Sequence, residues 1–318
     1  MVGGLAPVRG ADGEDEALKE RPLLVRHKVS CQAGLHRRCQ LESCPKPKGN
    51  PFCQHDLANG SQISAGDHAT PFSIQSISKV FTLAIALGRH GNQLWHRVGR
   101  EPSNYVFNSA QALETRAGIP ANPFVNSGAI VVTDSLLVSG SPRETLAEIL
   151  HFVRYAASDD DIFIDGAVAA SEKRTGHKNF SLAHLLRAYG NLTQECDETL
   201  GTYFHHCAIA MTCAQLARSG RFLAGVQPGG TVIAPTHLRS INALMSTCGH
   251  YNGSGEFAFR VGIPAKSGVG SSILAIVPRR ASITVWSPGL DDYGNSKLGL
   301  AALEMLSERD KLSMFAVD

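Results

Sequence analysis

Ser76 and Lys79, three positions apart in the segment Gln75-Ser76-Ile77-Ser78-Lys79, are the residues of this 318-residue chain whose types and spacing most directly suggest chemistry. On a helix, positions i and i+3 share a face, so the serine hydroxyl and the lysine amine point the same way. A serine at a helix start also sits among unpaired backbone N–H groups at the positive end of the dipole, which favours an alkoxide and a neutral lysine. Burial in an apolar helix lowers the lysine pKa further, because desolvation penalises the charged form. A serine is inert until a base takes its proton, and a deprotonated lysine can be that base. Taken alone, however, this spacing more often marks a surface lysine beside an N-capping serine.

A second element changes that balance. Lys266-Ser267-Gly268 lies just before a C-terminal hairpin pattern, as the K-T-G element does in serine penicillin-recognising enzymes. In that arrangement a strand edge beside the helix start supplies a second cation, and an oxyanion hole forms from the N–H groups of Ser76 and Val269. By itself the tripeptide reads as a Gly-flanked turn. Two weak motifs far apart in sequence, each on the expected element, weigh more together.

The positioning elements follow from periodicity. Ile77, Val80, Phe81, Leu83, Ala84, Ile85 and Leu87 make 76–87 apolar all round, the mark of a buried helix, closed by Gly88 and Gly91. Residues 100–140, rich in Asn, Pro, Ser and Gly, read as loop-heavy. Ser141, Pro142 and Glu144 spell a capping box that opens a helix to about Ala157. Helical patterns cover about 165–175, 181–190, 195–210, 212–224 and 236–247, and a last one covers 295–308. Ser271–Val277 and Ser282–Trp286 read as a hairpin around Pro278-Arg279-Arg280. This order predicts an α/β (α+β) fold, an antiparallel sheet flanked by the first and last helices with an inserted helical lobe. The expected division is 1–50 as an atypical N-terminal segment and 51–318 as the catalytic domain. Within that domain, 51–88 with 248–318 form the sheet lobe and 89–247 the helical lobe.

The bulk composition narrows the function classes. The formal net charge is +2 with no extended basic stretch, so nothing calls for a nucleic-acid partner. No apolar run reaches the roughly 18 to 20 residues of a membrane span. The first thirty residues lack a basic region followed by an apolar one, which predicts a cytoplasmic protein. The eight cysteines form no paired C-x-x-C pattern, and the four from Cys196 onward read as reduced core residues. There is no H-E-x-x-H, adjacent His205 and His206 would face different sides of a helix, and no phosphate-binding loop or dinucleotide fingerprint is present. The expectation is therefore no metal and no cofactor.

Several strings resemble the bacterial-type glutaminases: QSISKV at 75–80, NPFVNSGAI at 122–130, SEKRTGHKN at 171–179, TYFHHC at 202–207, CGHYNGSGEFAFRVGIPAKSGVG at 248–270 and VWSPGLDDYGNS at 285–296. The resemblance runs from about residue 57 to the C-terminus. It implies a β-lactamase/transpeptidase-like fold and hydrolysis of L-glutamine to glutamate and ammonia through a γ-glutamyl-serine ester, in a homodimer or homotetramer. It implies Ser76 as nucleophile, Lys79 as its base and Tyr251 as the proton shuttle to the leaving ammonia. It places Tyr203 at the pocket, Asn126, Glu172 and Asn179 on the substrate's α-amino and α-carboxylate groups, and the Val269 N–H on the oxyanion. Physical chemistry agrees in part: a zwitterion needs an acceptor-only group for its ammonium, and Glu172 is one. Singly, Glu172 reads as a solvated helix residue and Tyr203 as a core aromatic.

The resemblance fails at the N-terminus. Residues 1–52 contain no tyrosine where the family places one in its pocket wall, and a first core strand is hard to find around Asn50–Asp56. A truly divergent N-terminus would explain this, and so would a wrongly assigned first exon or reading frame, the second being preferred; residues 1–50 are accordingly expected to be disordered or mis-annotated. Two other readings stay open here: another serine hydrolase of the same fold, to which Tyr189-Gly190-Asn191 would supply a Y-x-N element, and an inactive glutaminase relic.

Overall fold

The computed structural model describes residues 52–57, 61–138, 140–227 and 232–317. The expectations for residues 1–50 lie outside the described residues.

Five strands form the larger sheet, in the order β2-β1-β8-β7-β6 with every pair antiparallel: β1 (Phe52–Leu57), β2 (Gln62–Ala65), β6 (Ala265–Gly268), β7 (Ser272–Val277) and β8 (Ala281–Trp286). The expectation that a first strand is missing is corrected here. Phe52–Leu57 pairs with β8 along its whole length, from Phe52 opposite Trp286 to Leu57 opposite Ala281. This partner, β8, lies more than two hundred residues away in sequence, while on its other side β1 pairs with the nearby β2, from Cys53 opposite Ala65 to Asp56 opposite Gln62.

Side chains alternate between the faces of β7 and β8. Ile273, Ala275, Val277, Ile283 and Val285 pack with Leu303 and Leu306 of the last helix, Lys297–Asp310, and with Phe257, Val261 and Ile263. Leu274, Ile276 and Trp286 join the larger core on the opposite face. The helix lying along β1, β7 and β8 on that second face is Cys213–Ala224, not the first helix as the sequence pattern suggested. Helix α1 (Ser78–His90) is instead surrounded by α2 (Asn126–Leu137), α3 (Pro142–Ala157), α6 (Cys196–Cys207) and α8 (Pro235–Cys248). An all-round apolar helix needs apolar neighbours on every side, and a bundle of helices supplies them.

Between these lie α4 (Gly166–Thr175), α5 (His177–Ala188), α7 (Cys213–Ala224) and a three-stranded sheet, β3-β5-β4, formed by Phe72–Ser73, Ile209–Met211 and Phe163–Ile164. The capping box of α3 is present as read: Ser141 Oγ accepts from the Glu144 N–H and Glu144 returns a bond to the Ser141 N–H. Two expectations change. The segment read as loop-heavy contains α2, every residue of which is buried. The helix expected to reach 210 ends at Cys207, and Ile209–Met211 is strand.

Helix α7 approaches the sheet at Gly220, where an added Cβ would stand 2.2 Å from Ser282 Oγ and 2.8 Å from Leu274 Cδ1. Only a residue without a side chain fits there. Gly220→Val should therefore lower stability by about 1–3 kcal/mol through overpacking, measured as a shifted denaturant midpoint; an unchanged midpoint would show that the helix and sheet separate freely.

Candidate active site

Ser76 lies on a single 3-10 turn, Gln75–Ile77, between β3 and α1. The residue before it, Gln75, is a buried non-glycine with φ of 51°, in the left-handed region that costs such a residue energy. Its side chain is tied down: Gln75 Nε2 donates to Ser73 Oγ at 3.0 Å, and Ser73 Oγ donates to the Cys207 carbonyl at 3.0 Å. The turn is thereby fastened to the end of α6. On its other side runs β6, so close that a Cβ on Gly268 would meet the Ile74 carbonyl oxygen at 2.5 Å. Lys266-Ser267-Gly268 is thus a strand edge packed against the serine turn, and Val269 follows it in a turn.

Lys79, one residue into α1, is buried to 1% exposure. Its amine donates to Asn126 Oδ1 at 2.8 Å and to the Phe124 carbonyl at 3.1 Å. Both are neutral acceptors. Burial lowers its pKa from 10.5 to about 8, against the opposing charges of Cys207 and Glu172. Asn126, at the start of α2, donates from Nδ2 to Asn179 Oδ1 at 2.9 Å, so one chain of hydrogen bonds joins the lysine to α5. Ser76, Asn126 and Asn179 are each exposed by only 8 to 9%.

Two tyrosines flank this group. Tyr251 sits on a 3-10 turn with φ of 54°, and its hydroxyl donates to the Ser267 carbonyl at 3.3 Å. Burial raises its pKa well above 10, and a hydrogen bond with Ser76 opposes that rise. Tyr203 of α6 is buried, with the Lys79 amine 5.9 Å from its ring centroid and its pKa raised chiefly by burial. Glu172 is half-buried on α4, and its charge raises the pKa values of Lys79, Tyr203, Cys207 and Tyr251 alike. The eight residues singled out from the sequence sit on the serine turn, on α1, α2, α4, α5 and α6, on the 3-10 turn Tyr251–Gly253 and in the turn that follows β6.

Other features stand apart. Asn191 donates to the carbonyls of Arg97 and Gly118, so Tyr189-Gly190-Asn191 braces a loop. His205 is exposed while His206 is buried, on different sides of α6 as expected. No group of three His, Cys, Asp or Glu side chains among the described residues could hold a metal ion. No described helix is long and apolar enough to cross a membrane.

The sequence reading missed several supports. Asn122 Oδ1 accepts the N–H groups of Phe124 and Val125 at 3.0 and 3.1 Å, shaping the turn that presents the Phe124 carbonyl to Lys79. Asn before Pro, as at Asn122-Pro123, is the local signal that could have announced it. Phe107 stacks obliquely on Tyr251, ring centroids 4.8 Å apart. Beneath the site His206 links Ser78 Oγ at 2.8 Å to Thr133 Oγ1 at 3.1 Å, and burial and the nearby Lys79 lower its pKa to about 3.

Several known proteins are similar to this chain. A protein named glutaminase from Methylobacterium radiotolerans is 59% identical over 262 residues, spanning 81% of this chain and 85% of the relative. One from Rhizobium meliloti is 56% identical over 260 residues, 80% and 82% of the two chains. The crystal structure of a probable glutaminase from Bacillus subtilis superposes with a TM-score of 0.80 at 33% identity, covering 83% of this chain and 89% of that one. The structure of a Bacillus subtilis probable glutaminase complexed with 6-diazo-5-oxo-L-norleucine superposes with a TM-score of 0.75 at 32% identity, covering 83% and 86%. The sequence profile described as glutaminase matches residues 52–315, and the chain belongs to the glutaminase family.

Proposed function

We propose that this protein hydrolyses L-glutamine to L-glutamate and ammonia through a γ-glutamyl ester on Ser76. The observation that carries the reading is a buried Lys79 whose described hydrogen-bond partners are neutral acceptors, on the helix turn that follows Ser76. A lysine held that way gives up its proton near neutral pH and serves as a base. In the first half-reaction the Ser76 Oγ–carbon bond forms and the hydroxyl proton passes to Lys79. The carbon–nitrogen bond then breaks as the nitrogen takes the Tyr251 phenolic proton, and the Lys79 proton returns to the phenolate. Water repeats the sequence on the ester and releases glutamate.

The N–H groups of Ser76 and Val269 would stabilise the oxyanion, where charge develops during both steps. Glu172 would accept the substrate ammonium, and Asn126, Asn179 and Tyr203 would hold the rest of the amino-acid end. The relative complexed with a diazoketone analogue of glutamine supports this choice of substrate. With Ser76, Lys79 and Tyr251 gathered at one centre, catalysis is favoured over an inactive relic. We propose further that residues 51–318 form the catalytic unit, with 51–88 and 248–318 as one lobe and 89–247 as the other. The protein would work in the cytoplasm as a homodimer or homotetramer; light scattering of the purified protein giving a monomer mass would refute that assembly.

Ser76→Ala should reduce ammonia release by about 10⁴-fold or more while leaving thermal melting unchanged. Incubation with 6-diazo-5-oxo-L-norleucine should add mass to a peptide containing Ser76 and to none in the variant. Retained turnover in Ser76→Ala would end the serine mechanism.

Because Lys79 must be neutral, kcat/KM should rise about tenfold per pH unit below about 8 and level off above it. A flat profile from pH 6 to 9 would remove Lys79 as the base.

Glu172→Gln should raise KM about tenfold or more, since a charge-assisted hydrogen bond contributes roughly 1.5–3 kcal/mol. It should also move the acid limb to lower pH, because the Glu172 charge helps hold the Lys79 pKa up. An unchanged KM and an unmoved limb would place Glu172 outside the pocket.

A further inference from the structure

Lys266 is as fully buried as Lys79, yet the proposed chemistry leaves it without a task. Its side chain is held inside the protein rather than at the surface. Its amine donates to the Gly249 carbonyl at 3.1 Å and the Ser267 carbonyl at 2.5 Å. Each of these carbonyls belongs to the surroundings of Tyr251. Gly249 lies two residues before Tyr251, in the chain leading into its left-handed turn, and the Ser267 carbonyl also accepts the Tyr251 hydroxyl. The same amine stands 4.5 Å from the centroid of the Tyr251 ring. A neutral amine has two N–H groups, which the two carbonyls take up; an ammonium has a third, free to face the ring.

That geometry meets a specific need. When Tyr251 gives its proton to the leaving nitrogen, a phenolate forms in a buried site, where an uncompensated charge is expensive. A cation beside the ring lowers that cost, and its two carbonyl bonds keep the turn from shifting as the charge appears. We infer that Lys266 is a positioning residue for proton transfer from Tyr251, fixing the turn that carries the phenol and presenting positive charge to the ring while the proton is away. Burial above all, and the nearby Lys79, lower the Lys266 pKa, against Cys207 and Cys248; a phenolate forming beside the amine works the other way and favours the ammonium.

The inference rests on Tyr251 as donor to the leaving nitrogen, and the test separates the two. An aryl ester of the glutamate γ-carboxyl loses its leaving group as a stable anion that needs no proton, whereas glutamine must have one. In Lys266→Met, kcat/KM for glutamine should fall about 10²–10³-fold, while that for the γ-aryl ester falls less than tenfold. Tyr251→Phe should show the same selectivity, and the double variant should be no worse than Tyr251→Phe within about twofold. Lys266→Gln, which keeps two N–H donors for the carbonyls but no charge, should keep the selective defect and serves in place of Met if that variant fails to melt cooperatively. Equal losses on both substrates, or a double variant whose losses multiply, would overturn the inference. A Tyr251→Phe enzyme equally damaged on both substrates would instead overturn the donor role of Tyr251.

Discussion

Everything around the serine turn depends on keeping a lysine dry without giving it a carboxylate to pair with. A buried ammonium is stable beside an acid, but such a pair would hold its proton and destroy it as a base. Here the Lys79 amine is satisfied by an amide oxygen and a backbone carbonyl. Each needs its own support. Asn126 is oriented by Asn179, and the Phe124 carbonyl is presented by a turn whose N–H groups Asn122 accepts. The carboxylate acting on Lys79, Glu172, is half-buried on a separate helix, and its charge raises the lysine pKa only in part against the lowering by burial.

The packing around α1 follows from the same constraint. Water must be kept from Lys79, so the helix is covered by α2, α3, α6 and α8, and its apolar side chains belong to one continuous core reaching to Leu274, Ile276 and Trp286 on the large sheet. That sheet fixes the other half of the site. Trp286 stacks on Phe72 at 5.1 Å and donates to the Gly270 carbonyl at 2.8 Å, joining β8 to the strand before the serine and to the turn after β6. Nucleophile and proposed oxyanion donor are thereby referenced to one indole ring.

What the sequence made legible has physical reasons. Ser76 and Lys79 stood out because a long all-round apolar run follows them, and the last hairpin because Ser272–Val277 and Ala281–Trp286 are short β-rich runs around a turn. The α3 start was written in its capping box. Helix α2 was hidden because it is buried on every side: with no polar face it has no period, and its Asn, Ser and Gly mimic a loop. Strands of two or three residues, such as Phe72–Ser73 and Ile209–Met211, are too short to alternate visibly. Glu172, Asn179 and Tyr203 were legible only through family resemblance, since each is unremarkable on its own helix. The Phe124 carbonyl could not be foreseen at all, because a main-chain acceptor carries no side-chain signature.

The His206 contacts beneath the site set a direction on the hydrogens. Thr133 Oγ1 donates to the Ala129 carbonyl at 2.9 Å, so toward the imidazole it can only accept. A neutral ring has one N–H, which must therefore sit on Nε2, leaving Nδ1 to accept the Ser78 hydroxyl proton. With that tautomer fixed and its pKa near 3, the ring neither takes nor passes a proton at neutral pH. Held neutral, the imidazole is a fixed strut that ties α1 to α2 and α6 beneath the site.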